Sequence, residues 1–463
     1  MKRTKGFGYG MIVVAAILIL FLTSCPGKQK NSDRRSWSAS SLGIPHLDQP
    51  WKLMVQAGAT SVTLAVPDDL PSLARYPEAV RNAVRARILL RNQNVEIMTH
   101  LAAEMERLLQ ERTFHSILQH DRFMNEIVLG INQPDVVNGN PLYKHEGILG
   151  HVPPYTHVEF FVPAEYAEAA RSRLRTMNLL NRTTVNPVDI WDKEWEGISK
   201  THACYTWTQD MFRVAVDEEG KEFLFTPAAY LQSNDLSDPD VDYLVHLLDE
   251  KKDRSLVRLP IFFHAGNILM GESGGKTLFV GEGALKLNAT MFFTAVQGLP
   301  DDRGVLQLLK VTSGADDVRV VKNSAHLFHI DMAMAILDRG VVALIDPVDP
   351  ENLQSDDRDM LNELRNTLRS LGFRIVPIPT STKRIALDQS PVNIVAYIDR
   401  TNSKRNAFVP EFPDEQISVQ GVGRSLNRLI RDAYAVAGIT VIPVADQFSS
   451  ERGDIHCVLK VIN

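Results

Sequence analysis

The chain has 463 residues, 44% of them hydrophobic and 23% charged, with a net charge of -6. That composition fits a folded globular protein of one large domain or two to three smaller ones and excludes a collagen-like or disulfide-scaffold chain. The weakly acidic balance lacks the basic face of a nucleic-acid binder, so no nucleic-acid partner is expected.

At the N-terminus, Lys2, Arg3 and Lys5 precede an apolar run, Ile12–Leu22, that ends in Leu22-Thr23-Ser24-Cys25. The run is shorter than the ~20 residues that span a bilayer and reads as an export signal. Leu-x-Ser-Cys resembles a bacterial lipobox. The expectation is a signal peptide over 1–24, a lipidated Cys25, a polar tether over 25–45, and a protein held at the membrane on the periplasmic face or cell surface. An uncleaved N-terminal anchor is the alternative. Cysteine usage agrees with this: besides Cys25, only Cys204 and Cys457 are present, too few for a disulfide framework.

Residues 46–150 read as a mainly helical N-terminal region. A helix is expected from Tyr76-Pro77-Glu78 onward, with Val80, Val84, Ile88 and Leu89 at helical spacing, and a second through Leu101, Met105 and Leu108. The stretch 134–153, rich in Asn, Gly and Pro, reads as a boundary loop. From 151 to 463 short strands alternate with helices. Strands are expected at His157–Pro163, Thr183–Ile190, Glu222–Thr226, Leu259–Phe263, Ile268–Met270, Val318–Val321, Val341–Ile345, Arg374–Ile378, Asn393–Tyr397, Ala407–Pro410 and Thr440–Val444. Helices are expected at Ala164–Leu180, Val241–Leu248, after Asp331, Asp359–Leu371 and Leu426–Ala437. This alternation means α/β layering; periodicity alone allows a doubly wound sheet or a barrel.

The chemistry-bearing residues are far apart. Cys457 ends the run Gly453-Asp454-Ile455-His456-Cys457; His329 and Asp331 stand in Phe328-His329-Ile330-Asp331; Asp210 closes Trp207-Thr208-Gln209-Asp210. A thiolate is a strong nucleophile toward a poor electrophile such as a guanidinium carbon. Two carboxylates suit the planar five-donor guanidinium, and an imidazole can protonate departing ammonia and then activate water. His329 and Asp331 would face the same side of a strand. His456 reads as structural, pointing away from its neighbour on an extended chain.

The order of these motifs resembles the guanidino-group-modifying superfamily: arginine, agmatine and peptidyl-arginine deiminases and the amidinotransferases. Trp207-Thr208-Gln209-Asp210 is similar to the Trp-x-Gln-Asp stretch of peptidyl-arginine deiminases, and Gly453–Cys457 to the terminal Gly-x-x-His-Cys segment. The resemblance covers roughly residues 155–463. It implies an α/β-propeller with fivefold pseudosymmetry, Cys457, His329, Asp331 and Asp210 as catalytic residues, and Asp210, Asp331, Trp207, Asn267 and His264 around the substrate. Phe263-His264-Ala265-Gly266-Asn267 departs from the pattern: His264 stands where many relatives carry the acidic residue of Glu-Gly-Gly-Asn.

Gly271–Thr277 lacks one residue of a phosphate-loop motif and reads as a hairpin turn. No Cys/His cluster has zinc spacing, so no metal is expected. Asp-rich stretches at 235–242, 346–349 and 356–359 do not match an EF-hand; calcium stays open without being indicated, and no cofactor is expected. The expected function is deimination of a guanidino compound or peptidyl-arginine. Amidinotransfer and guanidino binding by a degenerate surface lipoprotein are the alternatives; a cysteine peptidase is disfavoured because nothing resembles the sequence around a papain-type Cys.

Overall fold

Alternating apolar strands and amphipathic helices assemble into layered α/β units. The computed structural model describes residues 96–462 except 119–120, 132–135, 189–206, 228–247, 249–253, 287, 289–301, 420–421, 446 and 449–453. They fall within one compact unit, Asp48–Asn463. The described strands form five mixed sheets of three or four strands and one hairpin, Gln416–Val419 with Val422–Ser425.

Each of the five sheets contains an antiparallel step next to a parallel one. Met334–Asp338 runs antiparallel to Val341–Pro347, which runs parallel to Arg374–Thr380. A parallel step needs a crossover, supplied here by the helix Ser355–Ser370. Its Met360, Leu361, Leu364 and Leu368 recur at helical spacing and are all buried, each leucine contributing about 1.5–3 kcal/mol by leaving water. Val395–Ile398, Arg405–Glu411 and Thr440–Ala445 repeat the pattern with the crossover helix Leu426–Val436. Ser425 caps that helix by accepting from the Arg428 N–H, and Leu426, Ile430 and Tyr434 face inward. Ile268–Glu272, Lys276–Gly281 and Asp317–Val321 repeat it again, with the helix Asp302–Val311 between the two parallel strands. The expected hairpin turn is present: Ser273 N–H donates to Gly275 O, and Gly274 adopts a φ of 71° that favours glycine.

The other two sheets draw on residues before 151. Phe114–Ser116 pairs with Arg213–Asp217, which continues to Glu222–Thr226 and Ser255–Arg258. Glu126–Gly130 lies between His157–Pro163, parallel, and Lys460–Ile462, antiparallel, with Thr183–Val188 outside His157–Pro163. Arg254 ties these sheets together: its Nη1 and Nη2 donate to the two oxygens of Glu126 at 3.0 and 2.9 Å, and its Nε to Glu222 at 2.8 Å.

Several described elements differ from the sequence reading: Phe114–Ser116 and Glu126–Gly130 are strands within the region 46–150 read as mainly helical. The segment after Asp331 is not a helix but the strand Met334–Asp338. Its four apolar residues 334–337 are all buried, and a run covered on both faces carries no period that separates strand from helix. Leu259–Phe263 is not a strand; the strand is Ser255–Arg258, just before it. Pro260 lacks an N–H to donate to a ladder, and Asn288 satisfies Phe262 on both sides, accepting from its N–H at 2.8 Å and donating to its carbonyl at 2.6 Å. The helix expected through Leu101–Leu109 lies within Glu96–Glu111. The one expected near Tyr76, the one at Val241–Leu248 except for Leu248 itself, and the lipobox at Cys25 lie outside the described residues.

Candidate active site

Cys457 sits on a one-turn helix, Ile455–Val458, between Asp454 and the strand Lys460–Ile462. Pairing of that strand with Glu126–Gly130 fixes the turn in place. The thiol is free and 4% exposed. Asn393, wholly buried, braces it: Oδ1 accepts from the N–H of His456 at 2.9 Å and of Cys457 at 3.3 Å, while Nδ2 lies 3.3 Å from the sulfur. In sequence Asn393 reads only as the start of a strand, and a polar residue opening an apolar run is the one signal it carries. Burial pushes the Cys457 thiol well above its ordinary range, and the anions of Asp331, Asp210 and Asp454 push it further.

His329 is extended and Asp331 lies in the 3-10 turn Ile330–Met332, so they are not strand neighbours as expected. Asp331 Oδ2 lies 2.7 Å from His456 Nδ1 and 3.9 Å from Cys457 Sγ. Asp331 Oδ1 and His329 Nδ1 are both buried, with no hydrogen-bond partner among the described residues. His456 was expected to point away from the site. It does not, because the segment is a helical turn rather than extended chain, and its ring reaches Asp331.

Asp210 ends another 3-10 turn, Thr208–Asp210, which the half-buried Trp207 precedes. Thr208 Oγ1 lies 3.0 Å from the Val128 carbonyl and 2.9 Å from the Val458 carbonyl, linking this turn to the central strand and to the Cys457 helix. Asp210 Oδ1 accepts from the Gly266 N–H at 2.8 Å.

Gly266 is the hub. A Cβ placed there would lie 2.9 Å from Asp210 Oδ1, 2.9 Å from Asp331 Oδ2 and 3.2 Å from His329 Nδ1. The three groups therefore converge on one point that only a glycine leaves open. Asn267, expected near the substrate, spends its side chain elsewhere: Oδ1 accepts from the Ile330 N–H at 3.1 Å, and the amide pairs with Asn323 at 3.2 and 3.3 Å. It braces the turn carrying Asp331, and Gly281 leaves it room, since a Cβ there would come within 1.8 Å of Oδ1.

His264 is half-buried, and its Nδ1 lies 3.2 Å from His329 Nε2. Such a contact requires one nitrogen to carry a proton and the other to be bare. The position where a carboxylate was the commoner residue is thus in direct contact with His329. Asp210, His264 and His329 each offer one ligand atom within 4.8 Å of the others, a donor set that suits a transition-metal ion. Asp210 serves that set and the carboxylate pair alike.

No protein-family model matches the chain, and no curated protein matches it. Solved structures do. The agmatine deiminase of C. jejuni superposes with a TM-score of 0.53 at 16% identity, covering 76% of this chain and 96% of that one. A Cys-to-Ser variant of that enzyme with substrate bound gives 0.54 at 16% identity over the same shares. The agmatine deiminase of Enterococcus faecalis gives 0.54 at 13% identity, again 76% and 96%. In fold, the chain is similar to these agmatine deiminases.

Proposed function

We propose that this protein deiminates a guanidino group hydrolytically, giving a ureido product and ammonia through a thiouronium on Cys457. The observation that carries this reading is the convergence on Gly266: two carboxylate oxygens 2.9 Å from one point, with the thiol 3.9 Å from one of them. A guanidinium held flat by Asp210 and Asp331 brings the cation that this pair lacks, and the buried Asp331 Oδ1 gains an N–H donor. The same cation favours the thiolate that the two carboxylates alone oppose, so substrate binding assists ionisation of the thiol.

The Cys457 sulfur then adds to the guanidinium carbon as the thiol proton passes to His329. The carbon–nitrogen bond to the leaving group breaks, with His329 giving the proton that releases ammonia. Water, deprotonated by His329, adds to the thiouronium carbon, and the carbon–sulfur bond breaks to free the ureido product and the thiol. Fixing the planar cation against the sulfur supplies an orientation advantage worth up to about 7–11 kcal/mol. The likeness in fold to agmatine deiminases, one with substrate bound, supports this class of reaction. We read the five sheets, each with the same antiparallel and parallel steps, as the blades of an α/β-propeller. Export and lipidation at Cys25 belong to the same proposal on the strength of Leu22-Thr23-Ser24-Cys25, and labelling with a fatty-acid analogue tests them: no label on the wild type and the anchor reading replaces them.

The test of the reaction is product formation on arginine, agmatine and an arginine peptide by the wild type and by Cys457→Ala. Turnover on one substrate is expected, with a loss of several orders of magnitude in the variant. Retention of a tenth of the rate removes Cys457 as nucleophile. A second reading, guanidino binding without turnover, is favoured by His264 alone. It requires a ligand-dependent rise in melting temperature with no product from any of the three.

A further inference from the structure

Behind the Thr208–Asp210 turn lies a second charged cluster that the chemistry above does not use. Arg122, Arg213 and Lys460 line one cavity of about 60 Å³ together with Ser116, Gln209 and Met270. A single water needs about 10–15 Å³ of such space, so the cavity has room for a larger occupant. None of Cys457, His329, Asp331, His264 and Asp210 lines it. The three cations come from three segments: Arg213 opens the strand Arg213–Asp217, Lys460 opens Lys460–Ile462, and Arg122 precedes Glu126–Gly130.

Their charges are poorly answered by the protein. Arg213 is 7% exposed and Lys460 5% exposed; Arg122 is half-buried. Arg213 Nη2 donates to Ser116 Oγ at 2.9 Å, but Nη1 is buried with no partner among the described residues. Among the described residues Lys460 Nζ reaches the Gln209 carbonyl alone, at 3.4 Å, and lies 5.1 Å from the centre of the Phe212 ring. Arg122 Nη2 reaches the Ile117 carbonyl at 3.4 Å. Among the described residues none of the three forms an ion pair; Asp210 acts on Lys460 only at longer range. Burial lowers both arginines to about 10, which leaves them charged at neutral pH, and burial beside them pushes Lys460 well down. Like charges gathered out of water are unfavourable unless something of opposite sign is present.

We propose that this cavity is a binding site for a small inorganic anion of the halide or oxyanion class, held by Arg213 Nη1, Lys460 and Arg122. Forked guanidinium donors and an ammonium suit such a ligand. The site adjoins Gln209, so the anion offsets the cations behind Asp210 and secures the wall that carries that carboxylate. A substrate carboxylate shares this chemistry, but no residue of the carboxylate–thiol cluster lines the cavity, which favours a free ion.

The full chain, purified into sodium gluconate, is titrated at constant ionic strength with chloride, nitrate and phosphate while thermal unfolding is followed. At least one of these anions is expected to raise the melting temperature saturably, by mass action. Arg213→Gln and Lys460→Met are each expected to abolish the rise. Lys460→Met replaces a buried cation with an apolar chain of similar length and folds without the anion, so it carries the test if Arg213→Gln does not fold. The proposal is overturned if no anion gives a saturable rise in the wild type, or if the rise persists in Lys460→Met. It is also overturned if only arginine, and not agmatine or any inorganic anion, gives a rise that Lys460→Met removes. The cations would then belong to a substrate carboxylate.

Discussion

His456 Nδ1 lies 2.7 Å from Asp331 Oδ2, and both side chains are buried. The contact orients the carboxylate that faces the thiol and leaves its other oxygen for a ligand. A hydrogen bond to a charged group is worth roughly 1.5–3 kcal/mol, and about 1.4 kcal/mol is a factor of ten in rate. His456→Ala should therefore lower kcat/KM by about 10- to 100-fold. His456→Asn, which keeps a donor near the same place, should recover part of the loss. Equal activity in the two variants would mean that ring packing, not the hydrogen bond, is what matters.

Gly266→Ala places a methyl group 2.9 Å from two carboxylate oxygens and 3.2 Å from His329 Nδ1. Turnover should drop at least a hundredfold, with a weaker response of melting temperature to agmatine or arginine than in the wild type. A variant with normal kinetics would show that the guanidinium does not lie against this glycine.

His264→Glu sets a carboxylate beside His329 in place of a ring nitrogen at 3.2 Å. A neighbouring anion favours imidazolium. Turnover should then rise if the wild type is slow for want of a carboxylate at this position. Unchanged kcat and KM in an active enzyme would place His264 outside the reacting group.

The raised thiol of Cys457 sets a direction for pH. In the fold the proton is held by burial and by Asp331 and Asp210, whereas in the unfolded chain it leaves near pH 8.5. The stability tied to this group is thus fully present below that value and is lost as pH rises above it. Alkylation of the ligand-free protein by iodoacetamide should be slow at pH 7 and still accelerating at pH 9. Cys457→Ala should lose less stability than the wild type between pH 8 and 10. Rapid, pH-independent alkylation at neutral pH would contradict a protonated resting thiol.

Arg254→Ala leaves Glu126 buried without its bidentate partner, and breaking such a pair costs about 3–5 kcal/mol. Chemical denaturation should show that loss. A change under 1 kcal/mol would mean that water reaches Glu126 in the variant.

Much of the α/β layering could be read from the chain, because helices such as Ser355–Ser370 carry a clear stripe, Met360, Leu364 and Leu368, and hairpins such as Ile268–Gly281 are marked by glycines. Met334–Asp338 could not, since a run buried on both faces has no period. Cys457, His329, Asp331 and Asp210 stand out in sequence because their residue types suit one chemistry and their order resembles one family; in the structure Asp210, Asp331 and His329 meet at Gly266, and Cys457 lies beside Asp331. Asn393, Thr208 and the role of His456 were missed for a shared reason. Each acts through contacts to residues distant in sequence, and an isolated polar residue in an apolar setting does not reveal its partner.

The contacts that build the site join Asp210 to Gly266, His264 to His329, Asn393 to Cys457 and Asp331 to His456, across 56, 65, 64 and 125 positions of the chain. No local segment can form any of them alone, and closing loops of this size costs entropy before any contact repays it. The pocket is accordingly a late product of folding, and a proteolytic fragment of the chain should neither bind nor turn over a guanidino compound. By the same logic, a cation clamped between Asp210 and Asp331 acts as a reversible cross-link between remote stretches of polypeptide, slowing unfolding of the whole unit rather than of one loop.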